Sequence, residues 1–510
     1  LKKKYLILLF VTQIIFSQAP TIAWQKCLGG TGYEYAQSIQ HTSDGGYIIA
    51  GSTTESNNGD VAGNHGFYDG WVVKTSSTGT LEWQKCLGGV FDYVLHAIYQ
   101  TSDGGYVVLG NTTSSNINIS GNDGDGDFLI VKLSSLGEIE WQKVFGGTSN
   151  EIGLSIDQTY DGGYIVAGQT NSNNGNVTGN HGNTDVWIFK LSDSGTLLWQ
   201  KCLGGTSNET AVAIRQTADH GFIVTGNTNS NDGNVTGNHG LNDVWVLKLS
   251  ESGNLDWQKT LGGTDYDYGY SIEETAEGGY IVAGSTKSID GNVIGNHGGT
   301  DAWVVKLSNV GTLIWQKALG GSGGENAYQV HQTAQGDYIV AGYTNSTGGD
   351  VSENHGGSDA WFLKLSTIGT LIWQKTLGGS SNEIIYSCAE APDGGFCLAG
   401  YTQSNDGDAF GNHGSNDVWI VELNPEQLSI TTNSNCPIAL FPNPVGSILS
   451  LENKTCTDFT KISVTDLMGN TVLEPLRSSA QIDVESLTKG VYFLQIYTEN
   501  ERYTYKFVKR

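Results

Sequence analysis

Histidine and aspartate recur at fixed places along this chain. Histidine stands at His65, His181, His239, His297, His355 and His413, with Asp123 in its place in one copy, and aspartate follows at Asp69, Asp127, Asp185, Asp243, Asp301, Asp359 and Asp417. A second acidic position holds Glu34, Glu151, Glu209, Asp267, Glu325 and Glu383, broken only by Tyr93. A third holds Asp60, Asn118, Asn176, Asn234, Asn292, Asp350 and Asp408. Carboxylates and amide oxygens in glycine-rich loops suit a hard cation, so calcium near Asp60, Asp350 and Asp408 is the one cofactor these residue types admit, although their spacing is not that of an EF-hand. The same residues fit a structural role, with Asp capping its own turn, Asn tolerating positive φ and His bonding a backbone carbonyl. Zinc needs three or four ligands at one point, and one His per copy around a repeat does not supply them. There is no Gly-x-Ser-x-Gly elbow and no His-Glu-x-x-His, so no catalytic residue is assigned and the chain reads more as a binder than as an enzyme. Three breaks in the pattern, Phe91-Asp92-Tyr93 with His96, the acids Asp123, Asp125 and Asp127, and Tyr266-Asp267-Tyr268 with Tyr270, fit either a sugar-binding rim or simple repeat drift.

The elements that position these residues follow from a repeat. Trp-Gln-Lys begins at Trp24, Trp83, Trp141, Trp199, Trp257, Trp315 and Trp373, at an interval of 59 and then 58 residues. All 13 Trp fall either there or at Trp71, Trp187, Trp245, Trp303, Trp361 and Trp419, with Leu129 in the second copy. For the copy at residues 199–256, four β-branched or aromatic runs bounded by Gly, Asn, Asp or Ser predict strands at Thr210–Gln216, Gly221–Thr228, Asp243–Leu249 and Asn254–Thr260. Asp44-Gly45-Gly46 and its counterparts supply the tight turn between the first two. Four antiparallel strands per copy make a propeller blade. The chain begins with a lone fourth strand at Ile22–Leu28 and leaves the array after a third strand at Asp417–Leu423. Pairing these two completes a seventh blade and closes the ring, which removes exposed sheet edges. Strand alternation then puts the loop leading into the first strand and the long loop between second and third strands on one face. These recurring acids and histidines therefore share that face, which is the expected ligand surface. The tryptophans are expected to fill the wedges between blades.

Composition narrows the class of partner. The chain has 510 residues, 71 Gly and only 7 Pro, and a formal net charge of -26. Lys2, Lys3 and Lys4 followed by an apolar run at Leu6–Phe16 read as a secretory signal over residues 1–17, whose loss takes the charge to -29. That acidity excludes nucleic acid and anionic membrane surfaces as partners. No later stretch is apolar enough to span a bilayer, and nothing fixes an oligomeric state. Of the 7 Cys, Cys27, Cys86 and Cys202 stand at core positions of the repeat. Cys388 with Cys397, and Cys436 with Cys456, are candidate disulfides.

After Leu423 the period ends. The propeller thus covers 18–423, a Pro-, Ser- and Asn-containing linker 424–438, and a further domain 439–510, whose alternating runs at Ser447–Leu451, Lys461–Leu467, Gln481–Val484, Val491–Tyr497 and Tyr503–Val508 predict a small antiparallel β-sandwich. The whole is all-β. Phe441-Pro442-Asn443-Pro444, Ile462-Ser463-Val464-Thr465-Asp466-Leu467-Met468-Gly469-Asn470, Ile482-Asp483-Val484 with Leu487, Gly490-Val491-Tyr492-Phe493-Leu494 and Lys506-Phe507-Val508-Lys509 closely resemble the type A C-terminal sorting domain of the type IX secretion system. The array before it resembles the Gly- and Trp-rich arrays found as cargo of that system. The resemblance implies that Phe441, Pro442, Asn443, Pro444, Asp466, Gly469, Gly490, Tyr492, Lys506 and Lys509 carry the sorting signal. It implies the type IX machinery as partner, and a mature protein secreted or held on the outer cell surface. Together these readings lead to a non-catalytic propeller with an extracellular glycan or protein ligand. The alternatives are a polysaccharide hydrolase or lyase and a passive surface element.

Overall fold

The computed structural model describes residues 19–89, 92–113, 125–426, 438–453, 461–466, 471–474, 481–497 and 502–510. The expected signal segment, Phe91, Asn118, Asp123, Cys436, Cys456 and Gly469 lie outside these. Among the described residues there is no helix, and so none long and apolar enough to cross a membrane. Two compact units are present, one of them Ala19–Glu426.

Seven antiparallel four-stranded sheets follow one another through the first unit. The fourth copy shows the plan: Glu209–Gln216, Phe222–Thr228, Asp243–Leu249 and Leu255–Leu261. First strands of successive blades lie side by side around the axis, which leaves the fourth strands at the rim. Every first strand carries one unpaired residue where the register slips, as between Ala211 and Ala213. Such a bulge bends the strand and re-aims a side chain. The ring closes as the repeat count requires. Ile22–Leu28 pairs antiparallel with Asp417–Leu423, setting Trp24 opposite Glu422, Cys27 opposite Trp419 and Leu28 opposite Val418. Asn424 N–H donates to the Thr21 carbonyl at 2.9 Å just beyond the pairing.

The two tryptophan positions do different work. Trp245 is 1% exposed and packs with Ile165, Val186 and Ile188 of the preceding blade and Phe222 and Leu247 of its own. Its Nε1–H donates to Gln258 Oε1 at 2.8 Å, and Gln258 Nε2 donates to the Thr236 carbonyl at 3.2 Å. The same indole-to-glutamine bond holds Trp71, Trp187, Trp303, Trp361 and Trp419, which explains why Gln follows Trp in the triplet. The triplet's own tryptophans differ from expectation. They sit on rim strands and are half-buried except Trp373, because only one ring face meets the next blade. Trp199 packs against Phe222 with ring centroids 5.9 Å apart, and covers Gly253, where a Cβ would stand 2.8 Å from the indole.

In six of the blades the end opposite the loop face is held by charge. Lys74, Lys132 and Lys248, buried on third strands, pair with Asp44 at 3.0 Å, Asp103 at 3.0 Å and Asp219 at 2.9 Å in the tight turns. Burial alone would raise the Asp44 carboxyl, but hydrogen bonds from Thr42 and Gly46 and the Lys74 ammonium outweigh it and hold the group down to about 2. In the seventh blade Glu422 takes the lysine's place and accepts from the Tyr47 hydroxyl at 2.7 Å.

The described cysteines are free thiols. Cys388 and Cys397 are not bonded, contrary to the sequence-based candidate: Ala389, not Cys388, lies opposite Cys397. That one-residue offset sends the two sulfurs to opposite faces of the sheet, Cys388 into one interblade core and Cys397 into the next.

The C-terminal unit contains a three-stranded sheet of Ile438–Phe441, Ile448–Asn453 and Gln481–Asp483, and a four-stranded one of Thr471–Leu473, Lys461–Thr465, Gly490–Tyr497 and Arg502–Lys509. Ile438–Phe441 and Thr471–Leu473 are strands that alternation does not reveal, one of them being only three residues long. Leu449, Ile462, Val464, Ile482, Leu494, Ile496 and Phe507 form its core.

Candidate functional site

Hydrogen bonds lace the two loop sets into one face. Thr206 N–H donates to Asp232 Oδ1 at 2.8 Å, Ser207 N–H to Ser230 Oγ at 2.9 Å, and Asn234 N–H to the Gly204 carbonyl at 2.9 Å. Neighbouring blades are tied at the same level, where Glu209 N–H donates to the Thr184 carbonyl at 2.8 Å. Glu34 N–H donates to the Asn416 carbonyl at 2.9 Å in the blade junction that closes the ring.

Beneath the loops the repeated acids face inward. Asp243 opens the third strand and is wholly buried; its Oδ2 accepts from the His239 backbone N–H at 3.1 Å and lies 2.5 Å from His239 Nδ1. The ring therefore bonds a carboxylate rather than the backbone carbonyl expected, because the strand's first residue stands four positions on and turns back to it. His65, His181, His297, His355 and His413 make the same contact with Asp69, Asp185, Asp301, Asp359 and Asp417. These rings remain partly exposed, His239 by 38%. Glu209 is also wholly buried, with Oε2 accepting from Gly205 N–H and Oε1 from Thr228 Oγ1, both at 2.8 Å. Glu34, Glu151, Asp267, Glu325 and Glu383 take equivalent places. Asp127 and Tyr93 are buried too.

Asp and Glu from adjacent blades meet at one glycine. A Cβ on Gly204 would stand 2.6 Å from both Asp185 Oδ1 and Glu209 Oε2. Burial raises the carboxyls of Asp243, Asp267, Asp301, Asp359, Asp417 and Glu34 above their ordinary range. Gly204→Ala is expected to destabilise the propeller by about 1–3 kcal/mol, since the backbone must shift to admit one methyl group. Urea unfolding checks this, and an unchanged midpoint would show that the junction is loosely packed.

Asp60, Asp350 and Asp408 are occupied as loop caps, accepting from the backbone N–H of Gly29 at 3.3 Å, Gly320 at 3.2 Å and Gly378 at 3.3 Å. Asn176, Asn234 and Asn292 cap in the same way. Among the described residues no three His, Cys, Asp or Glu side chains are grouped so as to hold a metal ion.

The central channel is lined by first strands and is uneven around its circumference. Near the loop face, eight tyrosines form a continuous arc through blades 5, 6, 7 and 1. Ring centroids are 6.1 Å apart for Tyr266 and Tyr268, 6.3 Å for Tyr268 and Tyr270, and 5.1 Å for Tyr270 and Tyr328. Beyond these, Tyr328 lies 6.0 Å from Tyr343 and 4.9 Å from Tyr386, Tyr386 lies 6.3 Å from Tyr401, and Tyr401 lies 5.1 Å from Tyr35. The sequence signal found only Tyr266, Tyr268 and Tyr270, which are close in the chain. Further along the first strands, His331 lies between Glu273 at 3.2 Å and Glu390 at 3.1 Å. Burial would lower its pKa, but the two carboxylates raise it to about 9. A raised histidine stabilises the fold fully below its unfolded value near 6.5 and loses that contribution as pH rises through about 9. His331→Gln is therefore expected to lose about 1–2 kcal/mol at pH 6, after allowance for solvent screening, and the gap to the parent should close by pH 10. Chemical denaturation at both pH values checks this, and a gap that did not narrow would contradict it.

In the C-terminal unit, Asn443 Oδ1 accepts from Val508 N–H at 2.9 Å, tying Phe441-Pro442-Asn443-Pro444 to the last strand. Tyr492 donates to the Thr488 carbonyl at 3.0 Å and stacks on Phe507 at 5.8 Å. Gly490 pairs with Lys509, Phe493 with Lys506, and Asp466 follows the strand Lys461–Thr465.

No curated protein matches the chain. Among solved structures it is similar to the WD40 domain of Neurospora crassa Pan2, at 10% identity and TM-score 0.44, over 78% of this chain and 95% of that one. It is similar to Sqt1 from Chaetomium thermophilum at 10% identity and TM-score 0.41, over 79% of this chain and 100% of that one. The β-propeller domain of the Trilobed protease from Pyrococcus furiosus is similar at 7% identity and TM-score 0.41, over 78% of this chain and 96% of that one. The sheet pairing described above, rather than these likenesses, establishes the blades. Residues 439–510 match the secretion system C-terminal sorting domain family, and that domain marks the chain as one exported through the type IX system to the cell surface or the medium.

Proposed function

We propose that the propeller is a non-catalytic binding module that takes an extracellular glycan or protein on its loop-bearing face, while the sorting domain engages the type IX machinery. The observation that carries this reading is the lacing of both loop sets into one fixed platform around the channel mouth, with half-exposed histidine rings and amide side chains above buried carboxylates. A surface held by that many backbone bonds loses little entropy when a ligand arrives. The mature charge of -29 argues for a neutral or basic ligand.

Screening the exported protein on immobilised glycans and extracellular proteins tests the reading. Retention without new reducing ends or unsaturated sugars supports it. Release of such products would make the protein a hydrolase or lyase, and absence of any retention would leave a passive surface element.

A further inference from the structure

We propose that the tyrosine arc at the channel mouth is a binding site for a neutral oligosaccharide. This deepens the binding reading above and rests on it. The arc is built by the fold and is not scattered drift. Tyr270, Tyr328 and Tyr386 are the unpaired residues at the register slips of three consecutive first strands, so the bulge re-aims each ring into the channel. Tyr268 stands two residues before Tyr270 on the same strand, and their planes are within 10° of parallel. Tyr343 and Tyr401 come from second strands, opposite Asn326 and Ile384. In blades 2, 3 and 4 the equivalent places hold Val94, His96 and Asn111, then Ile152, Leu154 and Gln169, then Thr210, Val212 and Asn227. One wall is therefore tyrosine, and the other is small, aliphatic or amide apart from the imidazole of His96.

The chemistry of this wall points to sugar. Tyrosine offers an apolar face for pyranose C–H groups and a hydroxyl at its edge. The seven rings from Tyr268 to Tyr35 are half-buried, which leaves a face or edge of each open to the channel. The hydroxyls of Tyr35, Tyr386 and Tyr401 have no hydrogen-bond partner among the described residues and are left for water or for a ligand's own hydroxyls, while that of Tyr328 meets the Asn326 amide. Burial pushes these four phenols up, which keeps them neutral donors at any physiological pH. Lys287 lies 5.9 Å from the Tyr266 ring at the outer end of the arc, while the carboxylates of Asp265, Glu325, Glu383 and Glu34 act on Tyr268, Tyr343, Tyr401 and Tyr35. An acidic polysaccharide would find one cation, at the outer end, and carboxylates along the rest of the wall, inside a strongly acidic molecule that repels it.

Isothermal titration of the full exported protein with cellohexaose, maltohexaose and chitohexaose, and with hexagalacturonate as the acidic comparator, tests the site. Binding of at least one neutral hexasaccharide is expected, with hexagalacturonate weaker by about tenfold or more. Tyr328 touches three other rings, so Tyr328→Ala is expected to weaken binding about tenfold or more, whereas Tyr328→Phe, which keeps the ring, stays within about threefold. Glu251→Gln, on an exposed turn at the other face, leaves affinity unchanged. Neutral binding indifferent to Tyr328→Ala would overturn the arc as the site and leave the binding module standing. Failure of all three neutral sugars, or preference for hexagalacturonate, would also overturn the arc; the binding reading then falls only if the wider screen is empty as well.

Discussion

A chain ending at residue 438 is expected to fold its propeller and remain in the cell envelope, with export to the surface and medium falling to background. The sorting family matches 439–510, while the seven blade sheets draw every strand from within Ala19–Glu426. Removal of the last segment thus deletes no blade strand and no interblade core. Fractionation followed by immunoblotting of envelope, surface and medium checks this, together with protease resistance of the retained propeller. Normal yield in the medium would contradict the sorting role of this domain. Loss of the protein from every fraction would instead show that the propeller depends on the tail to fold.

Trp245→Ala is expected to cost about 3–5 kcal/mol of stability, the range for emptying a buried indole site. The side chain is 1% exposed between two blades, and its loss also frees Gln258 Oε1 from its donor. Trp199→Ala should cost clearly less, because that ring is half-exposed at the rim. Leu129, in the same place in the second blade and 1% exposed, shows that an aliphatic residue can fill the position when its surroundings match. Urea unfolding of both variants measures the difference. A Trp245→Ala protein melting like its parent would mean that the wedge can collapse around the gap.

Most of the architecture was legible because it rests on period and pattern. A repeat of 58 residues with two tryptophans, four β-rich runs and an Asp-Gly turn leaves little choice but blades, and the unmatched strands at the two ends demand each other. Ile22–Leu28 and Asp417–Leu423 lie where the sequence puts them. The first strand of the fourth blade begins at Glu209 rather than Thr210 because Glu209 pairs with Thr228, a cross-strand fact that no local signal carries. The candidate site was less legible. Spacing shows that His239, Asp243 and Glu209 recur, but not that Asp243 and Glu209 turn inward while the His239 ring stays partly open. The partners of Lys248 and Gln258 are set by pairing across strands. The tyrosine arc joins Tyr35 to Tyr401, residues far apart in the chain and brought to 5.1 Å only by closure of the ring.

That closure is tested most directly by hydrogen exchange in the exported protein. Amides of Ile22–Leu28 should exchange as slowly as those of Leu197–Leu203, the same strand in an interior blade, and Asp417–Leu423 should be protected to match. Rapid exchange throughout Ile22–Leu28, with interior blades still protected, would show an open array and contradict the shared seventh blade.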